Sequence, residues 1–152
     1  MSAATTMRMV FGSDVRLVDV AHAAAETLAG IAGFGEDEAL NVGIAVREAV
    51  INAIAHGNRM DPKLKVDLVL KARARSIEAR VRDQGRGFDP GTTPDPTAGD
   101  NVMRSSGRGL LLIRAFVDRV SFEFREGRGM ELKLVKTRGR TKGGDSTGAA
   151  RS

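Results

Sequence analysis

Residues 64–83, LKVDLVLKARARSIEARVRD, decide the fold because apolar and polar side chains alternate along them in two runs. Every second residue from Leu64 to Ala72 is apolar, and the same alternation returns from Ile77 to Val81. A period of two is typical of a β-strand with one face buried and the other in water. Residues 73–76, between the two runs, predict a turn, so we expect two neighbouring strands with one apolar face each.

The residues before this stretch predict two helices that can cover the apolar face. Ser13 is the expected N-cap of a first helix over residues 14–31. Its apolar side chains recur at helical spacing, at Leu17, Val20, Ala21, Ala24 and Leu28. A second helix is expected from about Glu36 to His56, with its end at Gly57-Asn58.

The residues after it predict a loop, a third helix and two more strands. Residues 85–106 are rich in Gly, Pro, Asp and Thr, and a loop of this length is typical of a lid or a disordered segment. Gly107 opens a third predicted helix, through about Val117. Further short strands are expected at Met7–Phe11, Val120–Phe124 and Met130–Leu134. We therefore predict an α+β fold, a two-layer sandwich with a mostly antiparallel sheet covered on one face by three helices.

The composition excludes several kinds of site. With 152 residues, 41% of them hydrophobic, the chain suits one domain with one core. It has no Cys, which excludes thiolate metal sites, and its two His are too few for an all-His zinc site. Six Phe without Trp or Tyr leave little material for stacking single-stranded nucleic acid. No apolar run reaches membrane-spanning length, and no signal-peptide core is present, so we expect a cytoplasmic protein.

The positive charge is concentrated at the C-terminus. The net charge is +5, and residues 136–152 contribute +4 of it, with five basic residues and one acidic residue. We interpret residues 1–137 as the folded domain and residues 138–152 as a disordered, basic, Gly-rich tail. A solvated tail is favoured over a nucleic-acid-binding arm.

The second predicted helix carries a polar stripe. Glu48, Asn52 and His56 recur every four residues on a helix that is apolar around most of its circumference. A carboxylate on a buried helix needs a partner, and carboxylate and amide oxygens suit Mg²⁺. The stripe is also consistent with a face turned to water, which is the usual position of charged helix residues.

Asp83 and the glycines after it form a second candidate group. Asp83 continues the phase of the apolar residues of its strand, so it is expected on the core side of the sheet. A carboxylate there needs a hydrogen-bond donor such as a purine amine, although an Asp that caps the following turn is the alternative. Gly85 and Gly87 allow the backbone to approach a ligand closely.

Gly107-Arg108-Gly109 stands at the start of the third predicted helix, where free N–H groups and the helix dipole favour anions. Arg86, Arg104 and Arg108 are nearby cations that suit phosphate. A loop-to-helix junction with solvated arginines remains the alternative. Neither a Walker A motif nor a Rossmann fingerprint is present.

Together, the order and spacing of these motifs resemble the ATP-binding site of the GHKL ATPases. The first motif, Glu48-x-x-x-Asn52-Ala-x-x-His56-Gly57-Asn58, resembles the N-box of that family. The second, Asp83-x-Gly85-x-Gly87-Phe88-Asp89-Pro90, resembles the next box. The third, Gly107-Arg108-Gly109-Leu110, resembles the glycine box. The match spans about residues 11–135. In this form the motifs are similar to those of the bacterial anti-sigma-factor serine/threonine kinases.

The resemblance implies a Bergerat-type sandwich, usually homodimeric, that binds ATP and Mg²⁺. It implies Glu48 as general base, Asn52 as the Mg²⁺ ligand and Asp83 as the contact to adenine. The glycines and Leu110 would surround the triphosphate, and Arg104 and Arg108 would neutralise its charge. It also implies two protein partners, a sigma factor that is sequestered and an anti-sigma-factor antagonist that is phosphorylated.

Other functions fit the same motifs. One is a protein-binding module gated by ATP or ADP without kinase activity. Another is the ATP-binding part of a histidine-kinase system, for which His22 in the first helix is the candidate phosphoacceptor, although an ordinary satisfied histidine is favoured there. A DNA-binding function rests on the basic tail alone.

Overall fold

The computed structural model describes residues 4–85, 109–125, 127 and 129–138. Its strands and helices follow the predicted order. In chain order they are β1 (Thr5–Gly12), α1 (Val18–Ile31), α2 (Glu36–Asn52), β2 (Lys65–Ala72), β3 (Ser76–Arg82), α3 (Gly109–Phe116), β4 (Arg119–Arg125) and β5 (Gly129–Thr137). A 3-10 turn, Val15–Leu17, precedes α1, and a π-helical turn, Ala53–Gly57, continues α2.

The five strands form one sheet in the order β1-β2-β3-β5-β4, with every neighbouring pair antiparallel. The register places apolar residues in rows across the sheet: Leu68 lies opposite Met9 and Val81, and Val81 lies opposite Leu132. Because every second residue points to the same face, these rows form one continuous apolar surface. The α+β prediction of an antiparallel sheet with three helices packed on it is confirmed.

The core lies between this apolar face and the helices. The buried strand residues alternate as the sequence predicted, at Val66, Leu68, Leu70 and Ala72 of β2 and at Ile77, Ala79 and Val81 of β3. The fully buried residues of the helical layer include Val46, Val50, Ile54, Leu110 and Ile113. Burial of each such aliphatic side chain contributes about 1.5–3 kcal/mol, so the core fixes α2 and α3 against the strands that carry the candidate site.

Two details of the first helix were predicted wrongly. Ser13 is not its N-cap: Asp14 caps the 3-10 turn by accepting a hydrogen bond from the backbone N–H of Arg16 at 2.9 Å, while Ser13 Oγ donates to Leu64 O at 2.8 Å. The buried face of α1 is also rotated, because Val18 is buried and Val20 is 50% exposed. The buried residues of α1 are Val18, Ala21, Ala25, Leu28 and Ala29, so Ala21 and Leu28 are buried as predicted.

The end of the second helix also differs from the prediction. The regular α-helix stops at Asn52, and the π-helical turn after it breaks the four-residue spacing, so His56 leaves the stripe of Glu48 and Asn52 and is exposed. Gly57 does not supply a left-handed cap. The left-handed residues are Arg59, with φ of 53°, and Met60, with φ of 63°.

Arg138, placed in the tail by its sequence, is held against the domain. Its backbone N–H donates to Arg75 O at 2.7 Å, and its guanidinium donates to Ala32 O at 3.2 Å. Gly33 makes room for it, since a Cβ atom on Gly33 would lie 2.7 Å from Arg138 Nε. The folded body therefore extends to Arg138, and residues 139–152 lie outside the described part of the chain.

None of the helices in the described ranges combines the length and the apolar character that a membrane-spanning helix needs.

Candidate functional site

The middle of α2 meets the start of α3 at Gly109. A Cβ atom on Gly109 would lie 2.9 Å from Glu48 Oε1 and 3.7 Å from Asn52 Oδ1. Gly109 is itself buried, so the missing side chain is what lets α3 begin directly beside the carboxylate and the amide. The structure thus brings together three of the residues that the motifs singled out, and we call Glu48, Asn52 and Gly109 the helix half of the site.

Among the described residues, the amide of Asn52 has an atom without a partner. Its Nδ2 atom is buried and makes no hydrogen bond to that part of the chain. An unsatisfied buried polar group costs about 1–3 kcal/mol, so a native structure that keeps one at a candidate site usually keeps it for a ligand. A half-turn of the amide exchanges its donor and acceptor ends, which allows the same side chain to serve a phosphate oxygen or a cation.

These residues fit Mg²⁺ through one amide and, by way of water, one carboxylate. The described residues contain no cluster of three or more His, Cys, Asp or Glu side chains that could hold a metal ion by themselves. Mg²⁺ is commonly held by one or two protein oxygens together with substrate phosphates and water. The donor set at Asn52 and Glu48 is therefore suited to Mg²⁺ that arrives with a nucleotide, and unsuited to a metal bound by protein alone.

Asp83 lies at the end of β3 and is 5% exposed, on the core side of the sheet as its phase predicted. Its Oδ1 atom accepts hydrogen bonds from the backbone N–H groups of Gly85, at 3.0 Å, and Met130, at 3.2 Å. Burial raises the pKa of the Asp83 carboxyl, and the two backbone hydrogen bonds oppose that rise. Both bonds reach Oδ1, and Oδ2, which lies beside Gly57, accepts no hydrogen bond from the residues that the structure describes.

Three glycines surround Asp83, and two of them were missed as site residues. A Cβ atom on Gly57 would collide with Asp83 Oδ2, and one on Gly129 would collide with Asp83 O. A Cβ atom on Gly85 would collide with the carbonyl oxygen of Gly57. The structure therefore gives Gly85 a role in packing backbone on backbone, in addition to the approach to a ligand that its sequence suggested.

Asn58 is the other residue whose position the sequence did not assign to the site. It is 1% exposed. Its side chain forms hydrogen bonds to three chain segments at this end of the sheet, and one of these bonds is accepted from the backbone N–H of Gln84 at 2.8 Å. The only sequence signal was its place in the His56-Gly57-Asn58 motif, since a single buried Asn has no periodicity. We call Gly57, Asn58, Asp83, Gly85 and Gly129 the strand half of the site.

One helix joins the two halves. Glu48 and Asn52 lie on α2, and Gly57 ends the π-helical turn that continues it, beside Asp83. Gly57 follows Glu48 by nine positions, which corresponds to a rise of about 13 Å at about 1.5 Å per residue. This span is comparable to an extended nucleoside triphosphate, so one ligand can reach both halves.

The remaining predicted site residues fall into two groups. Leu110 is fully buried, and its side chain belongs to the hydrophobic core. Gly87, Arg104, Gly107 and Arg108 lie outside the described residues, and their roles stay predictions.

Comparison with known proteins gives the site a family. A model of the histidine kinase-like ATPase domain matches residues 11–136. The chain is 28% identical over 107 residues to the anti-sigma F factor of Anoxybacillus flavithermus, covering 66% of this chain and 70% of the relative. It is 29% identical over 106 residues to the serine-protein kinase RsbW of Listeria monocytogenes, covering 66% and 68%. It is 30% identical over 109 residues to the anti-sigma F factor of Oceanobacillus iheyensis, covering 70% and 74%.

Proposed function

Because the chain belongs to the histidine kinase-like ATPase domain family, we propose that it is an ATP-dependent serine/threonine protein kinase that acts as an anti-sigma factor. It phosphorylates an anti-sigma-factor antagonist and sequesters a sigma factor, in the cytoplasm and as a homodimer. The names of its relatives, serine-protein kinase and anti-sigma F factor, support this proposal. The observation that carries it is the meeting of Glu48 and Asn52 at Gly109, where Asn52 Nδ2 is buried without a hydrogen bond to any residue that the structure describes.

Each half of the site binds a different part of the nucleotide. Asp83 accepts a hydrogen bond from the exocyclic amine of adenine through its Oδ2 atom. Gly109 and the other backbone N–H groups at the start of α3 receive the phosphates, where the helix dipole favours negative charge. Asn52 would hold Mg²⁺ through its amide oxygen. A bound Mg²⁺ would neutralise phosphate charge and hold the γ-phosphoryl group in place.

Glu48 acts as the general base. It accepts the proton of a substrate serine hydroxyl as the serine oxygen bonds to the γ-phosphorus. The bond between that phosphorus and the β,γ-bridging oxygen breaks, and ADP leaves with its electron pair. Positioning and charge neutralisation supply most of the rate in phosphoryl transfer, and a positioned base typically adds a factor of about 10²–10⁴.

The test replaces the base without changing its shape. Glu48→Gln should bind Mg-ATP as the wild type does, while transfer of labelled phosphate from ATP to the antagonist should fall about 10²–10⁴-fold. Glu26→Gln is the matched control, since Glu26 lies on α1 and pairs with His22 at 3.0 Å. Full transfer by Glu48→Gln would exclude Glu48 as the base. Binding without transfer in the wild type would favour the nucleotide-gated binding module.

The histidine-kinase alternative is less well supported. His22 bonds to Glu26, and it packs on Gly43, where a Cβ atom would lie 2.6 Å from the imidazole ring. Such contacts are typical of a histidine that fills a helix–helix contact. Acid-labile phosphate on His22 would favour this alternative.

A further inference from the structure

Asn58 uses both N–H donors and the carbonyl oxygen of its side chain. Its Nδ2 atom donates to Ser13 Oγ at 2.9 Å and to Lys65 O at 3.0 Å, and its Oδ1 atom accepts from Gln84 N at 2.8 Å. The side chain is 1% exposed, so these three bonds form away from water. They join the chain after β1, the start of β2 and the chain after β3 to the end of the π-helical turn.

We propose that Asn58 is a positioning residue that sets the preference of the site for adenine over guanine, an inference that rests on the proposed function. Asn58 acts through Gln84, the residue next to Asp83. A second bond holds Gln84 in place, from Lys65 N to its Oε1 at 2.6 Å. With Gln84 fixed on both its backbone and its side chain, the backbone of Asp83 cannot rotate freely.

The orientation of the Asp83 carboxylate is what makes the base selective. Its Oδ1 atom is occupied by two backbone N–H groups, so a base meets Oδ2. Adenine presents an amine donor there, whereas guanine presents a carbonyl oxygen that the carboxylate repels. A carboxylate that could turn or shift would recruit water and discriminate less, because discrimination depends on leaving the wrong base unpaired.

An amide suits this position better than any other side chain of its size. Asn supplies two donors and one acceptor, and the two carbonyl or hydroxyl oxygens and the one N–H group that it contacts need this combination. An apolar residue of similar volume would fill the space but would leave the N–H of Gln84 unpaired. The buried amide therefore specifies the geometry of the loop after β3, and its effect should be visible in ligand preference as well as in stability.

The experiment compares Asn58→Leu with Leu28→Ala, a core substitution in α1 at a side chain that is 4% exposed. Both should lower the melting temperature, so Leu28→Ala controls for lost stability. ATP and GTP would each compete with a fluorescent ATP analogue for the full chain. We expect Asn58→Leu to weaken ATP binding about tenfold and to reduce the ATP-to-GTP preference by about threefold or more, since one well-placed hydrogen bond contributes about 1 kcal/mol. Leu28→Ala should keep the wild-type preference.

A second pair of variants decides the question if Asn58→Leu does not fold. Gln84→Pro removes the N–H that donates to Asn58, whereas Gln84→Ala keeps it. Gln84→Ala loses only the bond from Lys65 N, whereas Gln84→Pro loses that bond and the bond to Asn58, so we expect a larger fall in the ATP-to-GTP preference in Gln84→Pro. An unchanged preference in folded Asn58→Leu, or equal preferences in the two Gln84 variants, would overturn the role of Asn58. Failure of the wild type to bind ATP would instead contradict the proposed function.

Discussion

The two halves of the site differ in how completely the protein satisfies its own polar groups. In the strand half, the buried Asn58 side chain makes three hydrogen bonds and Asp83 Oδ1 accepts two. In the helix half, the buried Nδ2 atom of Asn52 has no hydrogen-bond partner within the described residues. The base end is therefore built in advance, and the phosphate end is left for the ligand to complete.

This difference suits the chemistry of each end. Recognition of a base depends on fixed donors and acceptors, and preorganisation reduces the entropy lost on binding. Phosphoryl transfer needs side chains whose interactions are made with the reacting groups and their metal ion. Substitutions in the strand half should thus affect folding and affinity, whereas substitutions in the helix half should affect phosphate transfer.

The largest effect on folding is expected at Gly85 in the strand half. Gly85→Ala places a methyl group against the carbonyl oxygen of Gly57, and neither backbone segment can move without breaking the contacts around Asp83. We expect the free energy of unfolding to fall by about 2 kcal/mol or more in urea titrations. Gly30→Ala in α1 is the control, because a Cβ atom there meets nothing within 4 Å and should stabilise the helix by roughly 0.5–1 kcal/mol.

The next largest effect is on nucleotide affinity. Asp83→Asn keeps an oxygen for the two backbone N–H groups, but it places a hydrogen-bond donor, the amide NH₂ group, against the exocyclic amine of adenine, which is also a donor. We expect ATP affinity, measured by calorimetry, to fall about 10–100-fold, since hydrogen bonds to charged groups contribute about 1.5–3 kcal/mol. Wild-type affinity in Asp83→Asn would remove Asp83 from the adenine contact.

The same substitution gives a test against pH. Burial raises the pKa of Asp83 in the folded state above its ordinary value of 3.8, so the folded protein binds that proton more tightly than the unfolded chain does. Its contribution to stability is therefore fully present at pH below 3.8 and is lost as pH rises through the raised pKa. In urea titrations from pH 7 down to pH 4, the wild type should gain stability relative to Asp83→Asn. A difference that shrinks or reverses would contradict the raised pKa.

The smallest effect on the stability of the protein is expected in the helix half. Gly109→Ala puts a methyl group 2.9 Å from Glu48 Oε1, and the flexible carboxylate can move aside. We expect stability to change by less than about 1 kcal/mol, since Ala also favours the helix. Transfer of phosphate should fall by about tenfold because the base is displaced. Loss of folding with unchanged specific activity would reverse the assignment of the two halves.

Much of the fold could be predicted from the sequence because its signals are local. The alternation through residues 64–82 predicted two strands and their buried face, and the burial of Val66, Leu68, Ile77 and Val81 confirms it. The phase of α1 was predicted wrongly because small apolar residues stand on both sides of the helix, so Val18 and Ala25 fit helical spacing as well as Val20 and Ala24 do. The π-helical turn after Asn52 was missed because no sequence pattern marks such a turn.

The candidate site was predictable where spacing along one element decided it. Glu48 and Asn52 are four residues apart on α2, and Asp83 follows the period of β3. Asn58, Gly57 and Gly129 act through contacts between segments far apart in the sequence, as when Gly129 of β5 packs against Asp83. Such contacts depend on the tertiary fold, so beyond the motif that contains Gly57 and Asn58 no local pattern could reveal them.

If one nucleotide, with its Mg²⁺, binds both halves of the site at once, Asn52 should matter for ATP binding only when Mg²⁺ is present. Calorimetric titration of ATP into the wild type and Asn52→Ala, each with and without Mg²⁺, measures this dependence. We expect Mg²⁺ to tighten ATP binding to the wild type, and Asn52→Ala to lose this increment while it binds metal-free ATP with wild-type affinity. An Mg²⁺ increment of the same size in Asn52→Ala would show that the helix half does not hold the metal ion of the bound nucleotide.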